Sequence, residues 1–314
     1  MCLPLIIIHS FIFYFMHYKM YFAAMMLLAA SCSNESVELS ENATASELFA
    51  LVKVHVDGFS VSHEEFSGTR TRAASDVADY DDVNAVTLAF YKGDGTEAVK
   101  TTQLRADVST YTTFGEFSLS LPMGSYTMVA VAYYTNENSV LMLTSPTEAS
   151  YSLRARETFV ATQVVNISNT EAVDISATLN RIVSMLTVKS SDGKTADVSN
   201  VRMTFSAGGK DFNPTTGLAI TTTGLTNTVG NSASVGAKST SSTMLFLNTD
   251  EQDIDVTIET LDADGNTLFC KTIEDVPFQR NRVTKLTGAM YTNSGVDGTF
   301  QVETAWLDEY NANF

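Results

Sequence analysis

Along most of the chain, apolar residues recur at every second position, in runs that seldom exceed ten residues. Residues 51–61, LVKVHVDGFSV, set Val52, Val54 and Val56 against Lys53, His55 and Asp57. Successive side chains of a strand point to opposite faces, so a period of two predicts a strand with one face buried. Residues 83–91 (VNAVTLAFY), 115–121 (GEFSLSL), 126–134 (YTMVAVAYY), 159–167 (FVATQVVNI) and 172–179 (AVDISATL) are further strand candidates of similar length. A second set opens with IVSMLTVK at residue 182 and continues through VRMTFS, TMLFLN, DIDVTIETL, TLFCKTI and RVTKLTGAMY. Near the C-terminus, TFQVETAW alternates Phe300, Val302 and Trp306 with polar partners.

Turn chemistry separates these runs. Lys92-Gly93-Asp94-Gly95 and Asp264-Gly265 predict tight hairpins, because Asp-Gly supplies positive φ at little cost, and Asp192-Gly193 predicts another turn. Residues 214–243, dominated by Thr, Ser, Gly and Asn, read as a long exposed loop with at most one short strand. No segment sustains a helical period, and 46–51 has room for one helical turn only. Short strands divided by turns predict an all-β fold of sandwiches. The two strand sets predict two sandwiches in tandem, at 47–178 and 179–314.

The N-terminus has a different pattern. Residues 16–32 carry one cation, Lys19, then an apolar run over 21–30, then small residues before Cys32. That is the layout of a secretory signal. Leu28-Ala29-Ala30-Ser31-Cys32 resembles the lipobox of bacterial lipoproteins, which implies loss of residues 1–31, acylation of Cys32 and a membrane anchor. Each buried methylene of an acyl chain contributes about 0.8 kcal/mol, so two or three chains hold stably. Residues 1–15 form an earlier apolar run with no cation before it, so Met16 or Met20 is the expected start. His17 and Lys19 interrupt the two runs and argue against one spanning helix. Polar residues 33–46 read as a tether.

Composition narrows the function. The net charge is −17, from 19 basic and 36 acidic residues, and removing the leader takes away only Lys19. Nucleic acid and anionic lipid need a cationic face, so neither is an expected partner. Of three cysteines, Cys2 goes with the leader and Cys32 with the lipid. Cys270 is left without a disulfide partner and is expected as a buried, small hydrophobic side chain. Beyond the leader only His55 and His63 remain. The stretch 230–239, GNSASVGAKS, has five residues between its glycines and Ala237 before Lys238, so it misses the phosphate-loop spacing. Asp262, Asp264, Gly265 and Asn266 begin like a calcium loop, but Ile273 stands where a bidentate carboxylate is required. Asp79, Asp81 and Asp82 read as a solvated acidic loop. With no nucleophile elbow, no close histidine pair and no CxxC, the sequence predicts no catalytic, cofactor or metal site, and no enzyme.

Several stretches in order resemble the fimbrillins and fimbrial anchor lipoproteins of Bacteroidales, the subunits of type V pili. They are the lipobox at Cys32, the leading strand before Arg70-Thr71-Arg72, LPMGSYTMVAVAYY (121–134), LNRIVSMLTV (179–188) and VPFQRNRVTKLTGAMYT (276–292). The resemblance implies two transthyretin-like β-sandwiches on an outer-membrane lipoprotein. It implies cleavage after Arg70 or Arg72 by a trypsin-like protease, departure of the first strand, and filling of the groove by a neighbour's C-terminal strand. That donor would lie near 299–306, with Phe300, Val302 and Trp306 as plugs. The partners so implied are other fimbrial subunits, the outer membrane through the acyl anchor, and host or bacterial surface ligands. The alternatives are an uncleaved anchor subunit, which keeps lipid and first strand, or a surface glycan-binding lipoprotein.

Overall fold

The structure is a computed structural model and describes residues 48–56, 77–292 and 300–306, with 79 and 302–306 as backbone alone. In chain order its strands are β1 (Phe49–His55), β2 (Ala85–Lys92), β3 (Glu97–Leu104), β4 (Glu116–Pro122), β5 (Gly124–Tyr133), β6 (Leu141–Ser145), β7 (Glu148–Tyr151), β8 (Thr158–Ile167), β9 (Val173–Ser176) and β10 (Asn180–Arg181). The second half supplies β11 (Ser184–Ser190), β12 (Asn200–Phe205), β13 (Asp211–Asn213), β14 (Leu218–Ala219), β15 (Leu225–Gly230), β16 (Thr240–Leu245), β17 (Glu251–Leu261), β18 (Thr267–Gln279), β19 (Arg282–Gly288) and β20 (Gln301–Trp306). A single 3-10 turn, Val77–Asp79, is the only helical element among the described residues. The chain is all-β.

The first sandwich sets the sheet β4-β1-β9 against the five-stranded sheet β10-β8-β5-β2-β3. Val52 and Val54 of β1 meet Leu88 and Phe90 of β2 and Met128 and Ala130 of β5 in one core. β2 is buried over seven consecutive residues rather than alternately. The reason is a third sheet, β14-β13-β7-β6, which covers the outer face of the five-stranded sheet. Leu143, Ala149, Tyr151 and Phe212 pack there against Ala89, Tyr91, Val131 and Tyr133. A strand covered on both sides has no polar face with which to alternate.

The second sandwich sets β16-β11-β19-β20 against β15-β12-β17-β18. Its core joins Leu186, Val188 and Leu286 to Val201, Met203, Val256 and Phe278. The pairing repeats that of the first sandwich. β1 lies between antiparallel β4 and parallel β9, and β11 lies between antiparallel β16 and parallel β19. Likewise β2 joins β3 and β5 as β12 joins β15 and β17.

The covering sheet draws on both halves of the chain. The hairpin β6–β7 comes from the first, β13–β14 from the second, and the two meet where Phe212 pairs with Ala149. Phe212 and Tyr151 both pack on Phe246, with ring centroids 4.5 Å and 6.2 Å away. Three expectations are corrected here. Residues 214–243 carry β14, β15 and the start of β16 rather than one long loop. Residues 49–51 are strand, not a helical turn. Cys270 is exposed, because β18 is an edge strand whose outer face has no covering layer at that point.

Candidate functional site

β1 is the element on which the expected assembly chemistry depends, and it is a central strand. All seven of its residues pair with β4, from Phe49↔Pro122 to His55↔Glu116, and Val52 to His55 also pair with β9. Ala50, Val52, Val54 and Val56 are at most 1% exposed, whereas Phe49 and Leu51 face solvent. The alternation therefore seats every second side chain in the sandwich core. Withdrawal of β1 would strip β4 and β9 of their backbone partners and open an apolar slot between them.

Val56 and Val77 both adjoin Gly115. Its φ of +93 lies in the left-handed region that glycine adopts without strain. A Cβ there would stand 2.4 Å from Val77 and 3.7 Å from Val56, so any larger residue would also collide with the corner. The Gly115 carbonyl accepts from the Val56 amide at 3.0 Å. Gln103 holds this corner, accepting from the Gly115 amide at 2.8 Å and donating to the Glu116 carbonyl at 2.6 Å. Downstream, the Arg105 guanidinium donates to the carbonyls of Val77, Ala78, Tyr80 and Val83 at 2.8–3.0 Å. It lies over the Phe114 ring at 4.4 Å. Val56 and Val77, the described residues on either side of 57–76, thus lie at one fixed corner.

Cys32, Arg70 and Arg72 lie outside the described residues. β20 is an edge strand, paired antiparallel with β19 from Arg282↔Trp306 to Thr287↔Gln301. Val302 and Trp306 stand on it by backbone position, and Phe300 just before it packs on the core of the second sandwich. Among the described residues β20 has no counterpart in the first sandwich, where β9 has β1 as its only neighbour.

Other sequence candidates resolve into structural turns. Asp262 accepts from the amides of Asp264 and Asn266 at 2.9 Å and 2.8 Å, closing the hairpin that Asp264-Gly265 predicts. Within 230–239, the carbonyls of Asn231 and Ala233 accept from Lys194 Nζ at 2.8 Å and 3.0 Å, so the loop turns oxygens, not amides, toward its cation. Among the described residues, no group of three or more His, Cys, Asp or Glu side chains is gathered to hold a metal.

A feature that the sequence reading missed lies between the two sandwiches. A cleft of about 300 Å³ is lined by Tyr80, Tyr134, Arg154, Arg156, Arg181 and Met244, among others. Arg181 is internally neutralised. Its Nε meets Glu157 Oε1 at 2.5 Å, with side-chain exposures of 8% and 12%, and its other nitrogens reach the Tyr80 hydroxyl and Asn281 Oδ1. Arg154 and Arg156 are different: each has a buried Nε without a hydrogen-bond partner. Arg156 lies 5.7 Å from the Tyr134 ring centroid. Burial, and then the charge of Arg154, press the Arg156 pKa below its ordinary value. The visible signal was Arg154-Ala155-Arg156, two cations at strand spacing in an acidic chain.

The fold defines a β-sandwich protein whose first strand among the described residues lies at the centre of its sheet. The chain belongs to the family of unknown function DUF6562, whose model matches residues 53–313. No curated protein matches it. Similar solved structures include a proposed adhesin from Bacteroides ovatus, at 13% identity and a TM-score of 0.49, covering 83% of this chain and 96% of that one. The fimbrial anchor protein Mfa2 from Porphyromonas gingivalis is similar at 12% identity and a TM-score of 0.44, covering 82% and 98%. A proposed adhesin from Bacteroides thetaiotaomicron matches at 10% identity and 0.48, covering 84% and 99%.

Proposed function

We propose that this protein is a structural or adhesive subunit of a cell-surface fimbria, exported as a lipoprotein through Cys32 and joined to its neighbours by strand donation. The two sandwiches are its two bodies in this reading, the first closed by β10 at Asn180–Arg181. The observation that carries it is the place of β1, hydrogen-bonded on both sides and buried on one face at the start of the chain. Cleavage at Arg70 or Arg72 would leave β1 held only by non-covalent contacts.

Loss of β1 would be costly. Three core valines at about 1.5–3 kcal/mol each put roughly 5–9 kcal/mol of apolar burial at stake. A whole domain is stable by only about 5–15 kcal/mol, so an empty slot demands a replacement strand. A neighbour's 299–306 segment supplies one, with backbone bonds for affinity and Phe300, Val302 and Trp306 for register. An uncleaved copy keeps lipid and β1, so it donates a strand but accepts none, which is the anchor role.

The test is to treat the purified lipoprotein with a trypsin-like protease and run it unheated on a gel. A ladder of polymers that forms only after cleavage at Arg70 or Arg72, and is lost when residues 299–314 are deleted, is the expected result. Cleavage giving only monomers that retain β1 would overturn the donation reading. A chain resistant at both arginines, yet able to cap a cleaved partner, would assign it as the anchor.

A further inference from the structure

We infer that the cleft between the sandwiches is a binding site for a carboxylated sugar, held through Arg154 and Arg156. The inference stands apart from strand donation, since neither arginine lies on β1, β4, β9 or β20.

Two guanidinium groups sit together on the short segment between β7 and β8, each with its Nε shut off from water and unbonded. Buried polar groups in folded proteins are nearly always paired, and an unpaired charged donor is costly. A chain with 36 acidic residues has no shortage of counterions, yet none among the described residues serves these two. Of the two carboxylates that line the cleft among the described residues, Glu157 is bound by Arg181, and Asp82 at the exposed rim bonds neither Arg154 nor Arg156. Only the Nε atoms are enclosed, so an anion entering the cleft meets the remaining guanidinium nitrogens of both residues. The planar guanidinium fork matches a carboxylate bidentately.

The rest of the lining narrows the class. Ala155, Met185 and Met244 offer apolar surface, and Tyr134 and Ser242 carry hydroxyls, while those of Tyr80 and Thr243 already accept from Arg181 and Asn227. Ser242 shares one hydrogen bond with Thr187 at 3.0 Å and has capacity for another. A few polar groups set in apolar walls, in a cavity near the small end of ligand pockets at about 300 Å³, suit one ring-sized residue. A sugar acid presents that combination: a carboxylate, ring hydroxyls and an apolar ring face.

The experiment titrates the intact, uncleaved protein calorimetrically with D-glucuronate and N-acetylneuraminate, and with glucose, acetate and tri-aspartate as comparators. One sugar acid is expected to bind at least about tenfold more tightly than glucose, acetate or tri-aspartate. Arg154→Gln combined with Arg156→Gln is expected to weaken it by at least about tenfold while raising the thermal midpoint, because the like-charge contact is relieved. If the double variant unfolds, the single variants Arg154→Gln and Arg156→Lys carry the same comparison. Silence from both sugar acids, equal affinity in the variants, or a lowered midpoint with unchanged binding would each overturn the inference. Acetate binding as tightly overturns it in favour of a simple anion pocket, and tighter tri-aspartate in favour of an acidic-peptide site.

Discussion

Val54 of β1 and Ile175 of β9 lie side by side in parallel register, although 121 positions separate them in sequence. Parallel neighbours cannot be joined by a tight turn, and β9 joins this sheet only after β2, β3, β5 and β8 of the opposing one. β1 is therefore enclosed by later segments rather than appended to them. That arrangement makes its core-facing positions unequal to their neighbours.

Val54→Asp is expected to destabilise the uncleaved protein by several kcal/mol, since it buries a carboxylate with no partner where a valine was fully enclosed. Leu51→Ser, three residues earlier on the 42%-exposed side, is expected to change stability by no more than about 0.5 kcal/mol. Urea midpoints of the two variants check this, and similar shifts would contradict the register.

Arg181→Met is expected to cost about 3–5 kcal/mol, because it leaves the nearly enclosed Glu157 carboxylate without its main partner. Restoring neutrality with Glu157→Gln in the same chain should recover much of that loss. A double-mutant cycle in denaturant measures the coupling. Additive effects would mean that the pair acts independently.

Asp192 gives a pH dependence of definite sign. Burial pushes its pKa up, but donors from the amides of Met290, Tyr291 and Thr292 and the Thr292 hydroxyl outweigh that and hold it below the ordinary 3.8. A depressed folded pKa means that the unfolded chain takes up the proton first. The contribution is present above the unfolded value and is lost as pH falls through the folded one. Asp192→Asn is expected to cost about 1–2 kcal/mol at pH 7, the low side for bonds to a charged group because the carboxylate is partly exposed. The gap to wild type should shrink between pH 4 and the acid limit of folding, read from denaturant midpoints across roughly pH 3–7. A gap that widened on acidification would reverse the assignment.

Gly288 seats the start of the last strand. A Cβ at this position would stand 2.8 Å from Cγ and Cδ1 of Phe300, closer than side chains pack. Gly288→Ala is expected to displace Phe300 and cost about 1–3 kcal/mol by overpacking. Amide exchange over 301–306 should accelerate while β11 stays protected. Adding Phe300→Ala should cancel part of the penalty, and unchanged exchange in the single variant would count against this seat.

Legibility in the sequence tracked how cleanly one face was buried. Val52, Val54 and Val56 announced β1, and the Asp264-Gly265 turn announced its hairpin. β3, implied by the hairpin turn at 92–95, shows no period of its own because EAVKTTQL is an edge strand with most side chains in solvent, so polar residues fill both phases of the alternation. β6, β7, β13 and β14 were missed because two to five residues are too few to establish a period. Their burial comes from a sheet shared between distant parts of the chain. The arginine cleft was hidden for a similar reason: Tyr80, Arg156 and Met244 span more than half of the sequence and become neighbours only when the two sandwiches abut.

That shared sheet also governs how the molecule bears load. Two sandwiches joined only by the short connection through residues 177–183 would swivel like beads on a thread. Here a pull that separates them must first shear the backbone pairs Asp211↔Ser150 and Phe212↔Ala149 and draw Phe212 out from beside Phe246. Resistance to pulling the two sandwiches apart is thus placed in a seam that neither half could build alone.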